Sequence, residues 1–180
     1  RGEAVSFGAM FDGYCVIHAP FATANRRPWF EAELKRVGVA DLTVIEARPI
    51  PDSDGRLQYF ANIPSRARAR AVLSNIDALV QALEHAERHN WSSIAIFEDD
   101  IVFRRRFCDM WREVEPELAT TTWGLVTPFR WPRKALLTVE RPFKNTTLLP
   151  IQHNTCCSCL LIKRDFVGAI KWALDICLKK

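Results

Sequence analysis

The length of 180 residues predicts one folded domain, large enough to bury a core without support from disulfides or metals. Apolar residues make up 48% and charged residues 26%, values close to the average for globular chains, which exclude collagen-like and globally disordered classes. The net charge of +4 is too small to indicate a nucleic-acid partner, and we expect none.

The cysteines and the hydropathy predict the compartment. Three of the six cysteines crowd into residues 156–159, which is not the dispersed framework of a disulfide-rich secreted domain. No apolar run approaches the ~20 residues needed to cross a bilayer, and no secretion signal opens the sequence. We therefore expect reduced thiols in a cytoplasmic chain.

Strand and helix patterns alternate along the chain. In order, they predict a strand at 14–18, a helix at 25–38, a strand at 42–47, a helix at 65–89, a strand at 93–97, a helix at 103–118, strands at 123–126 and 159–162, and a last amphipathic helix with Phe166, Ile170 and Leu174. This alternation predicts an α/β fold, a mainly parallel sheet sandwiched by helices, with ligands outside the carboxyl ends of the strands. Residues 127–152 contain four prolines and no clean periodicity, which favours a functional loop.

Three acidic residues, Glu98, Asp99 and Asp100, directly follow the apolar strand at 93–97. Neighbouring carboxylates at a buried strand end repel one another and lose hydration, so a divalent cation is a natural partner. Because side chains alternate in an extended segment, Glu98 and Asp100 would share one side and offer oxygen ligands to Mn²⁺ or Mg²⁺. Two alternatives stay open: the acids cap the next helix, or they pair with the arginines at 104–106.

Five motifs occur in a recognisable order. They are the strand at 14–18 followed by the arginine pair and helix at 25–38, the strand at 44–47, the helix at 72–84, the acidic motif at 94–103, and the strand at 159–166. In this order the chain resembles glycosyltransferase family twenty-five, the lipopolysaccharide-biosynthesis type, which includes bacterial β-galactosyltransferases and is related to collagen galactosyltransferase domains.

The resemblance implies a single Rossmann-like domain of the GT-A type over residues 1–180. Residues 14–103 would form its nucleotide-sugar half, and residues 123–178 its acceptor-side loop and closing strand and helix. The implied enzyme is a metal-dependent, inverting glycosyltransferase. It would transfer a hexose such as galactose from a nucleotide-diphosphate sugar to a glycan or glycolipid acceptor.

The resemblance also assigns site residues. Glu98 and Asp100 correspond to the metal motif. The nucleotide donor would be contacted by Ile17, His18, Ala19, Arg27, Ala47 and Asp99, with Arg27 near the phosphates and Ala47 near the base. The sequence does not identify a catalytic base. His18 stands where the family commonly has Asn, and residues 19–24 lengthen the link to the arginine pair.

Two other functions stay open. One is a nucleotide- or sugar-binding pseudo-transferase or interaction module without turnover. The other is a metal-dependent phosphodiesterase or nuclease, which would need further acids or histidines to hold a second metal. Basic helix faces and tryptophan-rich loops also suggest peripheral contact with an anionic membrane.

Histidines 85 and 89 have the four-residue spacing of a zinc-binding helix face. They lack the adjacent glutamate of the metalloprotease motif, so we interpret them as an exposed helix end.

Overall fold

In the computed structural model, residues 7–22, 25–120, 123–126 and 159–179 are described. These ranges contain β1 (Gly13–His18), α1 (Arg27–Arg36), β2 (Thr43–Glu46), α2 (Arg66–Arg88), β3 (Ser93–Glu98), α3 (Phe107–Thr120), β4 (Leu125–Val126), β5 (Cys159–Lys163) and α4 (Arg164–Lys179). Short 3-10 helices cover Phe7–Ala9 and Gly55–Phe60. The predicted loop at 127–152 lies outside the described residues.

The strands form one open sheet in the order β2-β1-β3-β5-β4. Strand β1 pairs in parallel with β2 and β3, whereas β5 pairs antiparallel with both β3 and β4. The predicted α/β class is confirmed. The sheet is mixed, however, because β5 is inserted between β3 and β4 in the reverse direction.

Helices cover both faces of the sheet. Residues Val16, Ala95 and Phe97 point into a cluster with Phe30 and Leu34 of α1 and with Trp111 and Leu118 of α3. The alternate residues Cys15, Ile94 and Ile96 belong to a second cluster with α2 and with Val167 of α4. Because both faces are buried, the middle positions of β1, β3 and β5 are apolar on both faces, as expected for a covered sheet.

Helix α2 confirms the helix that the longest 3.6-residue apolar period predicted at 65–89. It spans 23 residues, and the hydroxyl of Ser65 caps it by accepting from the Arg68 N–H at 3.2 Å. At the end of α1, Gly38 adopts φ of 93°, a conformation that suits glycine and ends the helix where the sequence predicted.

One predicted helix boundary is wrong, and one residue expected on the apolar face of α4 is exposed. Helix α3 begins at Phe107 rather than at residue 103, because Ile101 and Phe103 are buried in the core as part of an irregular segment. In α4 the ring of Phe166 is 47% exposed and lies over Gly124, while Ile170 packs against the core. None of the described helices contains an apolar stretch long enough to cross a bilayer.

Candidate functional site

The carboxyl ends of β1, β2 and β3 meet at one edge of the sheet because the three strands are parallel. The register pairs Ile17 of β1 with Glu98 of β3 on one side, and His18 with Glu46 of β2 on the other. From β1 the chain goes to β2 on one side and returns to β3 on the opposite side. Such a switch in strand order opens a crevice, and ligands of open α/β sheets bind there.

Asp99 lies at this switch point and is almost fully buried. Its Oδ2 lies 2.7 Å from Nδ1 of His18 and accepts the Ala19 N–H at 3.2 Å. Its Oδ1 accepts from Nη1 of Arg26 at 3.1 Å. The side chains of His18 and Asp99 are 5% and 11% exposed. One carboxylate therefore joins the end of β3, the end of β1 and the residue before α1.

The neighbouring acids have different surroundings. Oε1 of Glu98 accepts from Nδ2 of Asn75 in α2 at 2.7 Å, and Glu98 is half-buried. Asp100 is exposed. Strand β3 ends at Glu98, and the Ile101 N–H donates to the Glu98 carbonyl at 3.1 Å, so the chain turns there. The strand alternation on which we based the Glu98 and Asp100 pair therefore stops at Glu98.

The alternatives drawn from the sequence for these acids are not what the structure contains. Helix α3 begins seven residues after Asp100, so the acids do not cap it. The described partner arginine of Asp99 is Arg26, which lies 73 residues away along the chain, and Arg106 lies 3.8 Å from Asp109 instead. The pairing of Asp99 with Arg26 could not be inferred from sequence spacing.

A metal at this edge would have an oxygen donor set. No group of three or more His, Cys, Asp or Glu suited to a metal occurs within the described ranges. Glu98 and Asp100 offer the carboxylate oxygens that a hard cation prefers beside water and phosphate, although Oε1 of Glu98 already accepts from Asn75. Mn²⁺ and Mg²⁺ are such cations.

The two arginines of the predicted pair have different partners. Arg26 faces Asp99, and its side chain is 39% exposed. Arg27 is the first residue of α1, and its Nε donates to Oε1 of Glu31 one turn later at 2.8 Å. The described contacts therefore bring His18, Ala19 and Asp99 together with Arg26, a residue to which the sequence analysis gave no role. The role predicted for Arg27 stays a prediction.

A cleft of about 490 Å³ opens beside this site, next to the end of β2. It is lined by Pro20, Phe21, Val44, Ile45, Glu46, Ala47, Arg48, Pro49 and Gln81. The Ala47 N–H donates to the His18 carbonyl at 2.8 Å, which connects the cleft to the switch point. Ser74 of α2 donates to the Arg48 carbonyl at 2.6 Å and fixes the segment after β2.

Burial shifts the pKa of several titratable groups outside the site, among them a thiol and a histidine. Burial raises the pKa of the Cys15 thiol to about 12. Burial also lowers the pKa of His85, whose ring stacks on that of His89 with centroids 4.0 Å apart. This stacking at the end of α2 agrees with a structural interpretation of the two histidines.

Ile17 is 8% exposed and packs toward α2, on the face of the sheet opposite to His18.

No protein-family model matches the chain, and no curated protein matches it. We therefore take the function from the chemistry of the strand ends and of the cleft beside them.

Proposed function

We propose that the protein is a metal-dependent glycosyltransferase. It would transfer a hexose such as galactose from a nucleotide-diphosphate sugar to a glycan or glycolipid acceptor. One observation carries the proposal: an acidic strand end lies at the switch point of an open α/β sheet, and a cleft of ligand size at the end of β2 is joined to that point by the bond from the Ala47 N–H to the His18 carbonyl.

The charges at the site support a donor that arrives with a cation. Three carboxylates, Glu98, Asp99 and Asp100, lie at the end of β3, and the guanidinium described in contact with them is that of Arg26. A diphosphate alone would be repelled by this excess of negative charge. Glu98 and Asp100 would hold a divalent cation, whose charge would offset the repulsion. When bound, it would supply Lewis-acid stabilisation of the leaving diphosphate.

The cleft supports binding of the nucleoside. Its volume of about 490 Å³ is within the range of small-molecule sites. Phe21 contributes a ring that is 51% exposed, on which a base can stack, and Ala47 contributes a small buried wall. We therefore propose that Ala47, one residue after β2, would lie near the base.

Two roles remain at the site, namely support of the strand ends and removal of the acceptor proton. Asp99 holds the loop after β1 through Ala19 and Arg26, so the ends of β1 and β3 keep one relative position. In the reaction, an acceptor hydroxyl attacks the anomeric carbon, the bond from that carbon to the diphosphate oxygen breaks, and a base takes the hydroxyl proton. His18 is only 4% exposed and is bonded to Asp99, so we do not assign it as that base.

A second candidate is a nucleotide-sugar-binding module without turnover. The observation that favours it is that Asp99, the central acid, is committed to structural contacts with His18 and Arg26. Glu98 and Asp100 would then bind a metal and nucleotide, with no described group placed to activate an acceptor.

The test is thermal unfolding with UDP, GDP, CDP, ADP and the matching nucleotide sugars, each with MnCl₂ or with EDTA. A ligand at a hundredfold excess over its Kd should raise Tm by about 5 to 10 °C, with MnCl₂ only. Asp100→Ala should abolish the shift, whereas the exposed control Asp41→Ala should retain it. An absence of any shift in the wild-type protein would contradict the proposal.

Turnover separates the two candidates. Release of the free nucleoside diphosphate from the bound sugar donor, with a glycan acceptor present, is expected for the transferase. Metal-dependent binding with no release by any donor and acceptor pair would favour the binding module.

A further inference from the structure

Two consecutive arginines, Arg26 and Arg27, precede and begin α1, and their surroundings differ. The guanidinium of Arg26 donates through Nη1 to Oδ1 of Asp99 at 3.1 Å, and its side chain is 39% exposed. The guanidinium of Arg27 pairs along the helix with Glu31 at 2.8 Å, and both of those side chains are about half exposed, at 52% and 47%.

Asp99 is a rigid anchor for Arg26. Its other carboxylate oxygen, Oδ2, lies 2.7 Å from Nδ1 of His18 and accepts the Ala19 N–H at 3.2 Å. Because His18 and Ala19 hold Oδ2, the carboxylate presents Oδ1 to the Arg26 guanidinium in a fixed position. An arginine has five N–H donors, and the bond to Asp99 uses one nitrogen of the planar group. Arg26 is therefore oriented at the switch point and still has donors for a ligand.

We propose that Arg26, positioned by Asp99, binds the diphosphate of the nucleotide ligand, and that Arg27 does not contribute to this binding. The inference rests on the proposed function, because it takes a nucleoside diphosphate as the ligand. The planar guanidinium matches two phosphate oxygens at once, and an arginine that is already held loses less conformational freedom on binding.

The location of Arg26 agrees with this role. It contacts Asp99 immediately after β3, and in the sequence Asp99 stands between Glu98 and Asp100, the acids that we propose to hold the cation. A diphosphate bound to that cation needs positive charge on its other side. Arg26 supplies this charge at the strand end, whereas the ion pair of Arg27 with Glu31 lies on the exposed surface of α1.

Isothermal titration with UDP and GDP in the presence of MnCl₂ tests the inference on the full chain. Arg26→Gln should raise Kd by about tenfold or more, since a hydrogen bond to a charged group is lost. Arg26→Lys keeps the charge without the planar fork and should give a smaller increase. The matched control Arg27→Gln should change Kd by about twofold at most, because it removes only an exposed pair. Circular dichroism of each variant without ligand checks that it is folded.

A double-mutant cycle tests the part played by Asp99. If Asp99 positions Arg26, Arg26→Gln should raise Kd by less than about threefold when it is introduced into Asp99→Asn. An equally large effect in both backgrounds would show that Arg26 binds without help from Asp99, which overturns the positioning role.

The outcomes separate this inference from the proposed function. Equal binding by the wild type, Arg26→Gln and Arg27→Gln would overturn the inference and leave the proposed function standing. Weaker binding by Arg27→Gln alone would overturn it in favour of Arg27. Failure of the wild-type protein to bind any nucleoside diphosphate with MnCl₂ would overturn the proposed function, and this inference with it.

Discussion

Replacing Asp99 with alanine should destabilise the fold strongly, independently of any ligand. The carboxylate is 11% exposed and accepts hydrogen bonds from three groups: the His18 ring, the Ala19 N–H and the Arg26 guanidinium. Arg26 can regain hydration because it is 39% exposed. His18 cannot, since its side chain is 5% exposed, and the Ala19 N–H also loses its acceptor.

The expected magnitude follows from these losses. A buried donor left without a partner costs about 1–3 kcal/mol, and the His18 ring and the Ala19 N–H both lose their acceptor. Because one of the three partners regains water, we expect Asp99→Ala to lower the free energy of unfolding by about 2–4 kcal/mol. Asp99→Asn keeps the volume and one acceptor, so it should lose about half as much.

Urea denaturation followed by circular dichroism measures this difference. With a slope of about 2 kcal/mol per molar urea, the midpoint for Asp99→Ala should fall by about 1–2 M. The matched control is Asp100→Ala, an exposed neighbour, which should stay within about 0.5 kcal/mol of the wild type. Equal midpoints for Asp99→Ala and Asp100→Ala would refute the reasoning, because both variants remove one carboxylate from the same acidic cluster.

Three further predictions concern other parts of the fold. Gly13→Ala should lower the free energy of unfolding by about 1–3 kcal/mol, because a Cβ there would lie 2.1 Å from the Trp91 ring. The control Gly55→Ala should be nearly neutral in the same urea assay, because a Cβ at that position meets no atom within 4 Å. The Cys15 thiol, with its pKa raised to about 12 by burial, should resist alkylation at pH 8 in the native protein and react after unfolding in urea, as mass spectrometry would detect. Burial lowers the pKa of His85 in the folded state, so the unfolded chain binds the proton first as the pH falls. The free energy of unfolding should therefore decrease as the pH falls below about 6.5, the ordinary pKa of histidine. His85→Gln should flatten that part of the profile of unfolding free energy against pH, and an unchanged profile would contradict the assignment.

Local patterns were sufficient to predict most of the elements. The apolar strand before the acids, and the 3.6-residue period of α2 with its Ser65 cap, depend on neighbours in sequence, and both are present. The start of α3 was mispredicted because Phe103 lies four residues before Phe107, a spacing that suits a helix. In the structure Phe103 fills the core from an irregular segment, so tertiary packing overrides the local pattern.

The site was predictable in its location and not in its contacts. Parallel strands bring their carboxyl ends together, which explains why residues near 18, 47 and 99 could be placed at one edge. The partners of the acids come from distant segments. Arg26 is 73 residues from Asp99, and Asn75, which lies on α2, is 23 residues from Glu98 at the end of β3. Neither distance follows a helical or strand period, so no local rule could have selected these two residues.

The turn after Glu98 gives the three consecutive acids three different environments. Asp99 is directed into the protein, where it joins β1 to the start of α1, while Asp100 stays in solvent, where a hydrated cation can reach it. Glu98 lies between these extremes and is connected to α2 through Asn75. Stability therefore depends mainly on Asp99, whereas the metal binding that we propose would depend on Asp100. A loss of metal-dependent binding in Asp100→Ala can for this reason be assigned to the site itself, because that residue makes no described contact that holds the fold together.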